Sequence, residues 1–68
     1  MKTMYIFLVE FFDVKSQKEL SRLLLKNCDA SQIRFVAHES LVFFKTLPGV
    51  RDVRLKVFEV TGLDEIPV

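Results

Sequence analysis

The sequence predicts a small α+β domain: a two-layer sheet of order β-α-β-β-β with one helix packed on one face. Three observations favour this fold class. A run of aromatic and branched residues lies near the start of the chain, leucines at helical spacing follow it, and alternating apolar residues separated by turn signals fill the rest. The chain has 68 residues, so we expect a single small domain.

The first predicted strand covers residues 4–12, MYIFLVEFF, because aromatic and β-branched residues favour extended backbone. Alternate side chains of a strand point to opposite faces. One face would carry Tyr5, Phe7, Val9 and Phe11, and the other Met4, Ile6, Leu8 and Phe12, interrupted by Glu10. Since both faces are apolar, we expect this strand to be central in its sheet.

The only predicted helix covers residues 17–27. Ser16 and Glu19 have the spacing of a capping box, in which each side chain bonds the other residue's backbone amide. An apolar stripe at helical spacing follows and consists of Leu20, Leu23 and Leu24. Asn27 and Asp29 are suitable residues for the end of this helix.

Three further strands are predicted at residues 32–38, 41–47 and 52–60, and a loose tail at 62–68. The segment 40–47 has an alternative, a short second helix that would change the order to β-α-β-α-β. Pro48 and Gly49 suit a type II turn before the last strand. In that strand the alternation slips at Val57 and Phe58, which indicates a bulge there.

Two short segments, Leu8–Phe12 and Ser40–Lys45, resemble strands of thioredoxin-like proteins: the one before the active-site helix and the one that opens the later hairpin. Ser16 and Glu19 stand where that family has its two redox cysteines, and Glu39 stands where it has a proline. The resemblance therefore implies a similar strand, helix and hairpin layout, and no thiol chemistry.

Composition excludes several function classes. Cys28 is the only cysteine and His38 the only histidine, so neither an internal disulfide nor a multi-ligand metal site is expected. No phosphate loop or dinucleotide fingerprint is present, and we expect no enzyme activity, cofactor or small-molecule substrate. The first apolar run is too short to span a bilayer and lacks a cleavage site, so we expect a cytoplasmic protein without membrane contact.

The first functional hypothesis is a protein–protein interaction module. Half of the residues are hydrophobic, which is more apolar surface than one small domain can cover. We expect the chain to form a homo-oligomer, most simply a dimer, or to dock on a larger protein that it regulates or inhibits. The predicted partner-binding residues are Ile6, Leu8, Phe12, Phe44 and Phe58, with Arg54 and Lys56 at the rim. The alternative is that the tail, residues 63–68, closes over the apolar face.

A second hypothesis is nucleic-acid binding through a basic and aromatic sheet face. Arg34, Arg51, Arg54 and Lys56 would contact phosphates, and Phe44 would stack on bases. The formal net charge is only +1, however, so the chain has no basic excess.

Overall fold

The computed structural model describes all residues, 1–68, as a four-stranded antiparallel sheet with one helix on one face. The strands are β1 (Lys2–Asp13), β2 (Lys18–Asp29), β3 (Val50–Glu59) and β4 (Glu65–Ile66), and a 3₁₀ turn (Ala30–Gln32) leads into helix α1 (Ile33–Lys45). The spatial order is β2-β1-β3-β4, which makes β1 central as expected. The α+β class is confirmed, whereas both predicted orders of elements are wrong.

The segment predicted to be a helix, 17–27, is instead the second strand of a long hairpin. β1 and β2 pair without interruption from Lys2 opposite Asp29 to Asp13 opposite Lys18. Leu20 and Leu24 are four residues apart, a spacing that places two side chains on one face of a strand as well as of a helix. The backbone of a central strand must be paired along both edges, and an adjacent segment joined by a short turn supplies that pairing at low entropic cost.

The hairpin turn uses the residue predicted to cap a helix. The Asp13 carboxylate accepts hydrogen bonds from the Ser16 amide at 3.1 Å and from the Ser16 hydroxyl at 2.6 Å. Gln17 then adopts a positive φ of 57° before β2 begins. These bonds hold the pKa of the Asp13 carboxyl below its ordinary value, chiefly through the Ser16 hydroxyl. The expected capping box between Ser16 and Glu19 is therefore wrong.

The predicted strands 32–38 and 41–47 are also wrong, because one continuous helix, α1, spans that region. Its buried positions are Ile33, Ala37, Ser40 and Phe44, which recur at helical spacing. The Ser40 hydroxyl donates to the Val36 carbonyl at 3.0 Å, so this polar residue is satisfied inside the apolar face. A short second helix at 40–47 does not exist separately, and the layout implied by the thioredoxin-like resemblance does not occur.

β3 lies where the last strand, 52–60, is predicted, but the bulge is elsewhere. The register with β1 shifts between Glu10 and Phe12, where Asp52 has a positive φ of 55°. Beyond that point the alternation continues through Val57, which is fully buried. The predicted slip at Val57 and Phe58 is therefore wrong, and Phe58 lies on the opposite face from Val57.

The core lies between α1 and one face of the sheet, and it is small. It contains Tyr5, Phe7, Val9 and Phe11 of β1, Cys28 of β2, Val57 of β3, and Ile33, Ala37 and Phe44 of α1. Only 10 of the 68 residues are buried although half of the chain is hydrophobic. Much of the apolar surface therefore remains outside the core.

Gly49 terminates the turn between α1 and β3 and gives a first prediction. Its φ is +76°, and a Cβ at this position would meet no atom within 4 Å. Gly49→Ala should therefore lower the free energy of unfolding by about 1 kcal/mol through backbone strain alone. Gly49→Asn should cost less, because asparagine tolerates this conformation better. Urea unfolding of the three proteins measures the difference, and equal stability of Gly49→Ala and wild type would contradict the assignment.

A second prediction concerns the Asp13–Ser16 turn. Ser16→Ala removes the hydroxyl donor, so the pKa of Asp13 should rise toward its ordinary value. NMR titration of the carboxyl carbon measures this change, and Ser21→Ala, an exposed serine in β2, is the control.

The same interaction sets a pH dependence of stability. A lowered pKa in the folded state contributes stability that is complete above the ordinary carboxyl pKa and disappears as the pH falls through the lowered value. Wild type should therefore lose more stability than Ser16→Ala on acidification through that range. Identical pH profiles for the two proteins would show that the turn hydrogen bonds do not form.

Candidate protein-binding surface

The sheet face opposite α1 is not covered by any element of the chain, and we call it the open face. It consists of Met4, Ile6, Leu8, Glu10 and Phe12 of β1, Glu19, Ser21, Leu23, Leu25 and Asn27 of β2, Arg51, Arg54, Lys56 and Phe58 of β3, and Glu65 of β4. α1 and the core residues pack on the other face. Leu23 and Leu25 are each 70% exposed.

Beyond the pair of Met4 and Asn27, the open face has two mainly apolar rows and two charged rows, each with one residue of β2, β1 and β3. Leu25, Ile6 and Phe58 lie side by side in β2, β1 and β3, and the next row is Leu23, Leu8 and Lys56. The following rows are Ser21, Glu10 and Arg54, and then Glu19, Phe12 and Arg51. The face is therefore apolar at the end near the chain termini and charged at the end near the hairpin turn.

The charged rows are held together by contacts between strands. Arg54 donates to a Glu19 carboxylate oxygen at 3.1 Å, across the full width of β1. The Arg51 guanidinium lies 5.4 Å from the centre of the Phe12 ring, within cation–π distance. Both the Arg54 and the Glu19 side chains are more than half exposed, so this ion pair orients the surface more than it stabilises the fold.

The C-terminal segment does not close over the open face, contrary to the alternative considered for residues 63–68. β4 pairs with the edge of β3, with Ile66 opposite Val57 and Glu65 opposite Phe58. Ile66 packs against the core on the helix side. The tail therefore extends the sheet sideways.

The structure places all the predicted partner-binding residues except Phe44 together on the open face. Those residues are Ile6, Leu8, Phe12, Arg54, Lys56 and Phe58. Phe44 is on α1, is only 8% exposed, and packs in the core with its ring 5.8 Å from that of Phe11. The placement of Phe44 on a binding surface is therefore wrong, because the segment 41–47 is helical and turns this side chain inward.

Leu23 and Leu25 are the members of the open face that sequence reasoning missed. Both lie in the segment 17–27, for which the sequence predicts a helix, and only Leu23 belongs to the predicted apolar stripe. The run of three leucines at 23–25 was the available signal, because consecutive apolar residues place side chains on both faces of a strand.

The basic residues proposed for nucleic-acid binding are not assembled as expected. Arg34 is on α1, on the opposite side of the sheet from Lys56 and the other β3 cations, and Phe44 is buried. Arg54 is paired with Glu19 and lies opposite Glu10 in the register. Carboxylates therefore interrupt the cationic part of the open face.

The remaining candidate chemistry does not form a site. His38 and Glu39 are exposed on α1 while Ser40 faces the core, and Cys28 is a buried free thiol. No three His, Cys, Asp or Glu side chains are grouped so as to hold a metal ion. With 13 residues, α1 lacks the length and continuous apolarity of a membrane-crossing helix. Comparison with protein-family models, curated proteins and solved structures gives no match.

The different positions of two phenylalanines of α1 give a third prediction. Phe44→Ala should lower the free energy of unfolding by about 3 to 5 kcal/mol, because it empties a packed site against Phe11. Phe35→Ala should change it by less than about 1 kcal/mol, because Phe35 is 66% exposed. Urea unfolding measures both values, with Phe44→Leu as a milder variant if Phe44→Ala does not fold. An unchanged stability of both Phe44 variants would contradict the core assignment.

Proposed function

We propose that this protein is a non-enzymatic protein–protein interaction module that uses its open face to dock on a larger protein and so regulates or inhibits it. The observation that supports this proposal is the continuous apolar half of the open face, built from Ile6, Leu8, Leu23, Leu25 and Phe58. Contiguous exposed apolar surface with a polar rim is typical of interaction sites.

Because the core is small, the apolar half of the open face stays in contact with water, which is unfavourable in free energy. One helix shields one face of the sheet, while the central strand β1 places apolar side chains on both. Burial of apolar area contributes about 25 cal/mol for each Å² removed from water. Binding of a partner that covers Leu8 and its neighbours is therefore stabilised by burial of apolar area that folding alone leaves exposed.

The charged rows supply the specificity that an apolar patch lacks. Arg54 lies opposite Glu10 and is paired with Glu19, and Arg51 lies in the same row as Glu19, so the surface presents both signs of charge in a defined order. A partner with complementary charges would be held in one orientation. Other orientations would bring like charges together and would be disfavoured by repulsion.

The same mixture of charges favours a protein over a nucleic acid as the partner. A phosphate backbone would meet the carboxylates of Glu10 and Glu19 among the cations, and the formal net charge of the chain is only +1. Nucleic-acid binding depends on neutralising several phosphates and weakens steeply with salt. Salt dependence therefore distinguishes the two classes of partner.

The fourth prediction tests the open face directly. Immobilised protein is used to capture a partner from an extract of the source cells, and the purified partner is then titrated by calorimetry. Leu8→Lys should weaken binding about thirtyfold or more, since a charge in the centre of an apolar interface removes about 2 kcal/mol or more of binding free energy. The affinity of the wild-type protein should change little between about 50 and 500 mM salt.

Phe35→Lys is the matched control, because Phe35 is an exposed apolar residue on the outer side of α1. It should bind like wild type, and circular dichroism should show that both variants are folded. If no protein is captured, or if Leu8→Lys binds as tightly as wild type, the open face is not the docking surface. Capture of a single-stranded oligonucleotide that is released by salt would identify the other class of partner.

A further inference from the structure

β2 is a long edge strand that lacks two of the features that usually protect an edge, a bulge and a proline, although it carries the cations Lys18, Arg22 and Lys26. It is paired on one side only, with β1, over all residues from Lys18 to Asp29. Its register has no bulge, and the strand has no proline. Unpaired amide and carbonyl groups along such an edge bind another strand readily. The opposite edge of the sheet is different, because β4 covers β3 at Val57 and Phe58.

The side chains of β2 leave apolar surface on both sides of this free edge. Leu23 and Leu25 project from the open face and are each 70% exposed. Leu20, on the helix side, is 42% exposed and lines a groove between β2 and the C-terminal part of α1. A strand added at this edge would therefore cover apolar side chains as well as backbone groups.

We propose that the strand added at this edge is β2 of a second copy, paired antiparallel about a two-fold axis that passes beside Leu23. This inference goes beyond the proposed function: self-association uses the free edge of the sheet, whereas docking on a larger protein uses the open face. The product is a continuous eight-stranded sheet made from two four-stranded sheets.

Symmetry limits the possible registers. Directly opposite residues of an antiparallel pair lie on the same face, so the axis must pass through a residue that pairs with its own copy. With Leu23 on the axis, residues Lys18 to Cys28 of both copies are paired, and no like charges are directly opposite. Glu19 lies opposite Asn27, and Leu25 opposite Ser21.

The neighbouring registers bring like charges together. With Arg22 on the axis, Arg22 faces its own copy and Lys18 faces Lys26. With Leu24 on the axis, Arg22 faces Lys26 and Glu19 faces Asp29. Like charges directly opposite are destabilising in a sheet. Registers further away pair fewer residues of β2, so the one centred at Leu23 is the longest that avoids this repulsion.

On the helix side, the Leu23 register places each cation opposite an apolar residue. Lys18 lies opposite Cys28, Arg22 opposite Leu24, and Lys26 opposite Leu20. The long aliphatic parts of lysine and arginine pack on such neighbours while their charged ends reach solvent. The cations of β2, which face one another in the two neighbouring registers, interleave in this one.

The arrangement also extends the docking surface. A two-fold axis perpendicular to the sheet keeps both helices on one side and both open faces on the other. The Leu8 and Leu23 row of one copy then continues into the same row of the second copy. The dimer therefore presents both open faces to a larger partner, and only the side chains beside the junction, such as Leu23 and Leu25, are partly covered.

The fifth prediction uses sedimentation equilibrium at several concentrations of the full chain. Wild type should be dimeric, and Leu23→Lys should weaken the dimer at least tenfold, because it places two ammonium groups against each other on the axis. Leu25→Lys is the matched control, since Leu25 has the same exposure on the same face but lies opposite Ser21. It should dimerise nearly as well as wild type, and so should Leu8→Lys.

A cross-link tests the register itself. In a Cys28→Ser background, Leu23→Cys should form a disulfide-linked dimer on oxidation by dissolved oxygen, because the two Cα atoms facing each other lie about 4.5 to 5.5 Å apart. Leu25→Cys should not, because its two copies are four residues out of register, about 13 Å along the strand. Cross-linking at residue 25 in preference to residue 23 would overturn the register.

The outcomes separate this inference from the proposed function. A wild-type chain that remains monomeric at millimolar concentration overturns the dimer, while partner binding that is lost in Leu8→Lys would still support docking through the open face. A dimer that is broken by Leu8→Lys and not by Leu23→Lys overturns edge pairing in favour of contact between open faces. Loss of the dimer in Leu23→Lys alone supports the edge.

Discussion

The structure depends on one constraint: β1 has apolar side chains on both of its faces, and the chain has a single helix with which to cover them. Tyr5, Phe7, Val9 and Phe11 occupy the covered face, and all the large fully buried side chains lie there. As the central strand, β1 requires hydrogen-bond partners on both edges. The chain meets this requirement with β2 and β3, so the remaining residues are enough for one helix but not for two layers.

The arrangement of the uncovered surface follows from that constraint. The rows of the open face that contain Ile6 and Leu8 of β1 are mainly apolar. The rows that contain Glu10 and Phe12 of β1 carry the charged side chains of β2 and β3. The Arg54–Glu19 pair and the Arg51–Phe12 contact keep the charged end ordered. The hairpin also leaves β2 unpaired along its outer edge, beside the apolar half of the face. Docking and self-association therefore use adjoining surfaces that have one structural origin.

Sequence reasoning was right that β1 and β3 are strands, because their aromatic and branched residues alternate and favour extended backbone, but it placed the bulge of β3 wrongly. It was wrong about the middle of the chain because short apolar spacings are ambiguous. Leu20 and Leu24 share a face in either a strand or a helix, and Ile33, Phe35 and Ala37 alternate like a strand although they belong to α1. The pattern of Ile33, Ala37 and Phe44 crosses the boundary between the predicted strands 32–38 and 41–47, and only a helix explains all of it. Because the segment 41–47 was predicted as a strand and is part of α1, Phe44 was predicted on the surface although it lies in the core.

The sequence by itself determined that the chain is an α+β domain, that β1 is central and that its Ile6 and Leu8 face carries more apolar surface than the chain can hide. These properties depend on composition and on local alternation, which any fold must accommodate. Only the tertiary structure decided that residues 18–29 pair with β1, that 33–45 form the helix, and that Leu23 and Leu25 join the open face. The reason is that the backbone of a central strand must find hydrogen-bond partners, and this pairing between strands overrides the helical preference of a leucine-rich segment.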